Sequence, residues 1–395
     1  MREGRRRGSY RTGAGDAGEI AAGIRQAVAA SRAAPPAAEP FPGPDPPPRS
    51  GTRLGGPGPG TLWDDELAAL GPPRARQLLA GATGPGERAE LEWSRTRVVV
   101  LTSAGLDRRA EATSATVRVV AEGDRRAGGR QEPAGGGAGR AAASARSLAA
   151  LDVEAVVRRA RARVAEAVVG GPPPAGPLLF SQEAASALVS LLASSLSSRA
   201  FDAEGSPLAG MLGEHVFSPA VELVDDGLDP GGLPFPFDLL GRPKRRVVLI
   251  EAGVPRSPAV DQALAARLRL PVTPHAVGPD EARPTHLFLL PREDEASVLA
   301  AAEGGVWIGA LEGLECFDRS RVAARARVLG ARRVEEGRLA EGLPELVWED
   351  SLLRLFSRVL AVGGEPVRLA DPAFMGGTSA PMLVVDGAEA LRIAG

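Results

Sequence analysis

Three histidines, one cysteine and a handful of acids are the residues from which metal or nucleophilic chemistry would have to be built. His215 stands in GEHVF, His275 in VTPHAV and His286 in THLFLL, and no two of them share the spacing that places ligands on one helix face. His215 with Asp225 or Asp226 would make a composite site. The reading the residue pattern favours is plainer: a turn histidine, with Asp225-Asp226-Gly227 as a turn before a proline-glycine loop. Cys316, in LECFDRS, is the single cysteine, which excludes a disulfide framework or a cysteine-only metal cluster within one chain; it reads as a small buried or half-buried thiol. Ser103, in TSAGLD, lacks the G-x-S-x-G surroundings of a nucleophile elbow and reads as a turn residue.

The elements that would position such groups centre on Phe180 to Gly253. PLLF (177–180) predicts a short buried strand, and Ser181 is placed to cap the helix FSQEAASALVSLLASSL, with Glu183 in its first turn. Ala184, Ala187, Leu188, Leu191 and Leu192 give that helix a buried face. A glycine-punctuated loop follows and closes on the strand RRVVLIEAGV (245–254). A long loop between helix and strand is where binding and chemistry concentrate.

The preceding chain is uneven. Five of the first eleven residues are arginine, a candidate phosphate-binding arm that reads first as a solvated leader. A short amphipathic helix is predicted over 16–32. In Pro40 to Gly60, 14 of 21 residues are Pro or Gly, which predicts a linker. Leu62 to Ala82 predicts helix broken at Pro72-Pro73, with Asp64 and Asp65 in the first turn and Leu67, Leu70, Leu78 and Leu79 in the core. LEWSRTRVVVL and ATSATVRVVAEGD predict a hairpin around TSAGLD, and the Gly/Arg tract 125–140 predicts a loop. A helix is expected from Leu151 to Val169, capped by Asp152, with Val153, Val156, Val157, Ala160, Val164 and Val168 inward and Arg158, Arg159, Arg161 and Arg163 on a solvated face.

Beyond the central stretch a helix is predicted over 257–270, with Val260, Leu264, Ala265 and Leu268 inward. Strands are predicted at 285–293 and 304–313, the second burying Trp307 and Ile308. Helix is predicted again over 352–362, with Leu353, Phe356 and Leu360 on one face, and strand-like pieces end the chain. The Ala/Arg composition of 321–340 favours helix. The fold class is therefore α+β, a helix-and-hairpin N-terminal part followed by a larger sheet-rich C-terminal domain. Domain boundaries are expected at 1–60, 61–170 and 171–395. With 395 residues, net charge −2 and no apolar run of membrane-spanning length, the expectation is a cytoplasmic protein with neither a nucleic-acid nor a membrane partner.

One resemblance goes further. The helix after Ser181, SPLAGMLGEHVFSPAVELVDDG (206–227), Phe237-Asp238, GRPKRRVVLIEAGV (241–254) and APMLVVDG (380–387) are similar to the TldD/PmbA family, the "modulator of DNA gyrase" proteins, whose members are peptidase-complex subunits. The likeness is strongest to the PmbA/TldE branch. It covers about 175–395 well and reaches back loosely through VVVLTSAGL (98–106) and the helix at 16–32. The family's further strand-rich N-terminal segment has no counterpart, so the start is expected to be truncated, diverged or misassigned. The resemblance favours paired strands over helix for 321–340, turning at Glu335-Glu336-Gly337.

The TldD branch carries His-Glu-x-x-x-His on the helix aligned here with Gln182 to Ala187. Two imidazoles there hold zinc and the Glu activates its water. This chain has Gln182 and Ala187 in the histidine positions and keeps only Glu183, the family general-base position, which alone neither holds a metal nor activates a water. The TldD branch's Cys-Gly-Lys motif has no counterpart, and the family's Asp-Glu-Gly after Phe237 reads Asp238-Leu239-Leu240-Gly241. The resemblance thus implies a non-catalytic TldE/PmbA-like subunit with no cofactor of its own. It would pair as a heterodimer with a TldD-like metallopeptidase subunit that holds zinc, in proteolysis of peptides or unfolded small proteins. The alternatives are a self-sufficient metallopeptidase with another site, or a gyrase-interacting regulatory protein.

Overall fold

The computed structural model describes residues 2–3, 6–7, 17–36, 62–102, 104–122, 137–202, 205–371 and 375–394. Residues 1–49 with 102–106 form one compact unit and 50–101 with 107–395 another. The smaller unit holds an antiparallel pair, β1 (Arg2–Glu3) and β2 (Arg6–Arg7), and the expected amphipathic helix α1 (Ala17–Ala33). The Pro/Gly segment 40–60 and Ser103 lie outside the described residues.

The larger unit opens with α2 (Asp65–Ala68), where the Asp64 carboxylate accepts from the Glu66 and Leu67 amides. The helical run breaks as expected, and α3 (Pro72–Ala82) restarts on the two prolines, which lose nothing where a helix has no N–H partner to offer. The long strands β3 (Glu87–Leu101) and β4 (Asp107–Ala121) pair antiparallel along their whole length. β5 (Gly139–Ala145) adds on the other side of β4, so the tract expected as loop to residue 140 becomes strand at Gly139. Helix α4 (Val153–Ala162) lays Val156, Val157 and Ala160 on this sheet, and Asp152 caps it through the Ala155 amide. It ends at Ala162, not Val169: the Arg163 and Val164 amides close its last turn on Ala160 O and Arg161 O, after which the chain turns away, Ala165 N–H donating to Gly137 O and Val169 N–H to Gly342 O.

From β6 (Leu178–Phe180) the chain runs into α5 (Gln182–Ser194) and α6 (Ser198–Asp202), then β7 (Leu223–Asp225), β8 (Val247–Glu251) and β9 (Val254–Pro255). Next come α7 (Gln262–Leu268), β10 (Ala276–Gly278), β11 (Glu281–Ala282), β12 (His286–Leu289), α8 (Glu295–Ala301) and β13 (Val306–Ile308). The remainder is β14 (Ala310–Asp318), β15 (Ala323–Leu329), β16 (Arg332–Glu335), β17 (Arg338–Gly342), β18 (Leu346–Ser351), α9 (Leu352–Ser357), β19 (Val359–Asp371), β20 (Gly376–Val385) and β21 (Leu391–Ile393). A mixed ten-stranded sheet runs β17-β16-β13-β6-β20-β12-β7-β8-β9, with β19 also on β20; β14-β15-β18-β21 form a second sheet. Helix α5 packs against β20 and β14, and edge-on contact of Phe180 with Trp348, centroids 6.2 Å apart, anchors the shared core.

The fold is α+β as expected, and several boundaries move. Residues 323–342 are strands, and consecutive left-handed residues Glu336 (φ 52°) and Gly337 (φ 66°) make the tight turn that pairs β16 with β17. Helix α7 stops at Leu268 because Arg269 turns left-handed (φ 56°), and Leu268 is exposed, not inward. The segment 352–362 is helical only to Ser357. From Val359 it pairs with β20, so Val362 is buried as a strand residue and Leu360 faces solvent. Among the described residues no helix is long and apolar enough to cross a membrane.

Candidate functional site

Helix α5 begins as the sequence requires: the Ser181 hydroxyl accepts from the Ala184 amide and donates to Gly309 O at 2.7 Å. Its first two residues are both engaged. Arg163 enters from the end of α4, donating from Nη2 to Gln182 Oε1 at 2.6 Å and from Nη1 to Glu183 Oε2 at 2.8 Å. The same Nη1 donates to Arg140 O at 2.7 Å, and the guanidinium lies 5.1 Å over the Trp307 ring. Glu183 Oε1 accepts from the Ala142 amide at 3.0 Å, with Arg159 Nη2 at 3.8 Å. The approach depends on Gly139: a Cβ there would stand 2.0 Å from Ala160 O and 2.8 Å from the Arg163 carbonyl carbon. Arg163, read from the sequence as part of a solvated face, is 7 % exposed. As the C-cap of α4 it leaves the helix at the point where its side chain can turn inward.

A second constellation was not legible as a site. Asp225, expected in a turn, ends β7 with its side chain fully buried. Its Oδ2 accepts from the Thr285 amide at 2.6 Å and the His286 amide at 2.9 Å. Its Oδ1 stands 3.1 Å from His275 Nε2 and 4.0 Å from Lys244 Nζ. The His275 contact is within reach but lacks the alignment of a hydrogen bond. Lys244 donates to Thr285 Oγ1 at 3.0 Å; that hydroxyl shares a hydrogen bond with His286 Nδ1, as Thr273 does with His275 Nδ1. Burial alone would push the Asp225 carboxyl up, but His275 and Lys244 hold it well below the usual carboxylate range. Burial, then Lys244, pushes the His286 imidazole well below its ordinary range. Lys244 is the chain's one lysine, among many arginines, and that singularity was the available signal.

The other candidates stay apart. His215 is exposed and shares nothing with Asp225; Asp226 forms a local turn by accepting from the Leu228 amide at 3.0 Å. Asp238 is buried, its carboxylate accepting from the Leu240, Arg242 and Ala276 amides, and burial pushes its carboxyl up. Cys316 is a half-buried free thiol on β14, pushed up by burial. Arg146 holds three chain segments by donating to Thr113 O, to the adjacent Leu233 O and Pro234 O, and to Met375 O, and burial lowers its pKa to about 10.

The set Gln182, Glu183 and Ala187 does not fit zinc. Glu183 has both oxygens committed, Gln182 gives its carbonyl oxygen to Arg163 and Ala187 has no donor atom. No three His, Cys, Asp or Glu side chains form a ligand set elsewhere among the described residues. What the arrangement provides is a fixed counter-ion at the head of α5 and a buried polar clasp joining β7, β12 and the loops through Lys244 and His275.

No curated protein sequence matches the chain. The fold is similar to that of a protein described as a modulator of DNA gyrase from Bacteroides thetaiotaomicron, at 17% identity and TM-score 0.76 over 97% of this chain and 85% of that one. It is also similar to TldE from Thermococcus kodakarensis, at 21% identity and TM-score 0.75 over 96% and 86%. A protein described as a DNA gyrase modulator from Thermotoga maritima gives 20% identity and TM-score 0.73 over 97% and 86%. The family model for the PmbA/TldA metallopeptidase C-terminal domain matches residues 175–392. That match spans more than half of the 395 residues, and the chain belongs to the TldD/PmbA family.

Proposed function

We propose that this chain is the metal-free, TldE/PmbA-like subunit of a cytoplasmic zinc metallopeptidase complex, pairing with a TldD-like chain that holds the zinc. The observation that carries the reading is the head of α5: where zinc chemistry needs two imidazoles and a carboxylate facing the metal, Gln182 and Glu183 are tied to Arg163 and Ala187 offers nothing. A chain of this family without ligands contributes walls and edges to a shared chamber. Peptides or unfolded small proteins would enter extended and bind by strand addition.

The test is assembly. The chain is expressed alone and together with a TldD-like chain of the same organism, and the species are weighed by native mass spectrometry. A stable hetero-complex is expected. A chain that stays apart from that partner under conditions where both are folded contradicts the reading.

A further inference from the structure

We propose that Arg163 is the built-in cation of the α5 head: its guanidinium occupies the acceptor set of Gln182 and Glu183, so that the two polar side chains remaining there are held by an internal cation in place of an external one. Three observations converge on it. The guanidinium is almost wholly buried and donates to a carboxylate, an amide oxygen and a main-chain carbonyl, all between 2.6 and 2.8 Å. It lies over the Trp307 ring, 5.1 Å from the centroid, where the ring's negative face favours a cation. The close approach of β5 to the end of α4 that delivers it requires a residue without a Cβ at 139.

An ordinary ion pair would be bidentate between one arginine and one acid. Here one fork spans two consecutive side chains of a helix, so the donors and the planar geometry both match the pocket. Arg159, 3.8 Å from Glu183 Oε1, is the second charge facing this carboxylate but donates to Ala142 O, so it does not replace Arg163. Such a fixed cation deepens the metal-free reading, and because it is tested on the lone chain its failure is distinct from failure of pairing.

The experiment is chemical rescue. Arg163→Ala leaves a buried carboxylate without its partner and is expected to lower Tm by about 5 °C or more. Methylguanidinium chloride at low millimolar concentration is expected to restore at least half of the loss in Arg163→Ala and to leave the wild type unchanged, while equal sodium chloride restores nothing. A loss with no recovery specific to methylguanidinium overturns the proposal, as does an unchanged Tm. If Arg163→Ala does not fold, Arg163→Met/Glu183→Gln, which removes both charges, is expected to fold and to melt above Arg163→Met; a double variant that is unfolded or no more stable overturns it.

Discussion

Removing the Asp225 carboxylate should cost more stability than any other single acid in the chain. Asp225→Ala deprives the Thr285 and His286 amides of their acceptor, at 2.6 and 2.9 Å, inside a fully buried cluster. Each hydrogen bond to a charged group is worth about 1.5–3 kcal/mol. The change also leaves Lys244 buried beside two histidines with no anion, and breaking a buried pair by removing one partner costs about 3–5 kcal/mol. These two accounts describe the same atoms and overlap, so the expected loss is about 3–5 kcal/mol, not their sum. For a chain of 395 residues unfolding as a unit, at about 1.2 °C per kcal/mol, this is a Tm lowered by roughly 4–6 °C. Asp225→Asn keeps one acceptor oxygen for the amides while losing the charge and should cost about half as much. Thermal and urea unfolding followed by circular dichroism measure both. An Asp225→Ala chain that melts with the wild type would refute the clasp, and an Asn variant as damaged as the Ala variant would refute the hydrogen-bond share of it.

Three other outcomes follow from the same geometry. The depressed His286 stays neutral when the unfolded chain begins to protonate near pH 6.5, so its contribution is whole above that pH and falls on acidification by about 1.4 kcal/mol per pH unit; Asp225 adds a second loss below about pH 4. Urea unfolding between pH 7 and 5 should show that slope, and His286→Gln should flatten it. Gly139→Ala, whose Cβ would meet main-chain atoms of 160 and 163–164, should lower stability by about 1–3 kcal/mol, read as Tm; an unchanged Tm would mean β5 and α4 are not held so close. Extensive dialysis of the lone chain against a chelator should leave its Tm unchanged, because the α5 head is held by Arg163 and not by a metal.

What the sequence made legible was local. Ser181 as a cap, Asp152 as a cap, the proline break before α3 and the long hairpin are written in short-range residue patterns, and they stand where those patterns put them. β5 was hidden because GRAAASA lacks the alternation of large and polar residues that marks a strand, and its pairing is decided by β4. β19 was partly hidden because LLRLFSRVLAV continues a helical composition past Ser357, and only the waiting edge of β20 turns it into strand. The Asp225 cluster was not legible as a site beyond the singular Lys244: Asp225 and His286 meet because β12 lies beside β7 in the sheet, and Lys244 and His275 reach them from loops far away in sequence. Arg163 failed for a different reason, since helical periodicity assigns a face but says nothing once the helix has ended.

The most direct test of the central claim is zinc content and hydrolysis of an unstructured protein such as casein, measured on this chain alone, on a TldD-like chain alone and on their complex. The account predicts no bound zinc and no hydrolysis from this chain by itself, and zinc-dependent hydrolysis in the complex. Zinc bound in stoichiometric amount to the lone chain, with casein cleaved by it, would contradict the account.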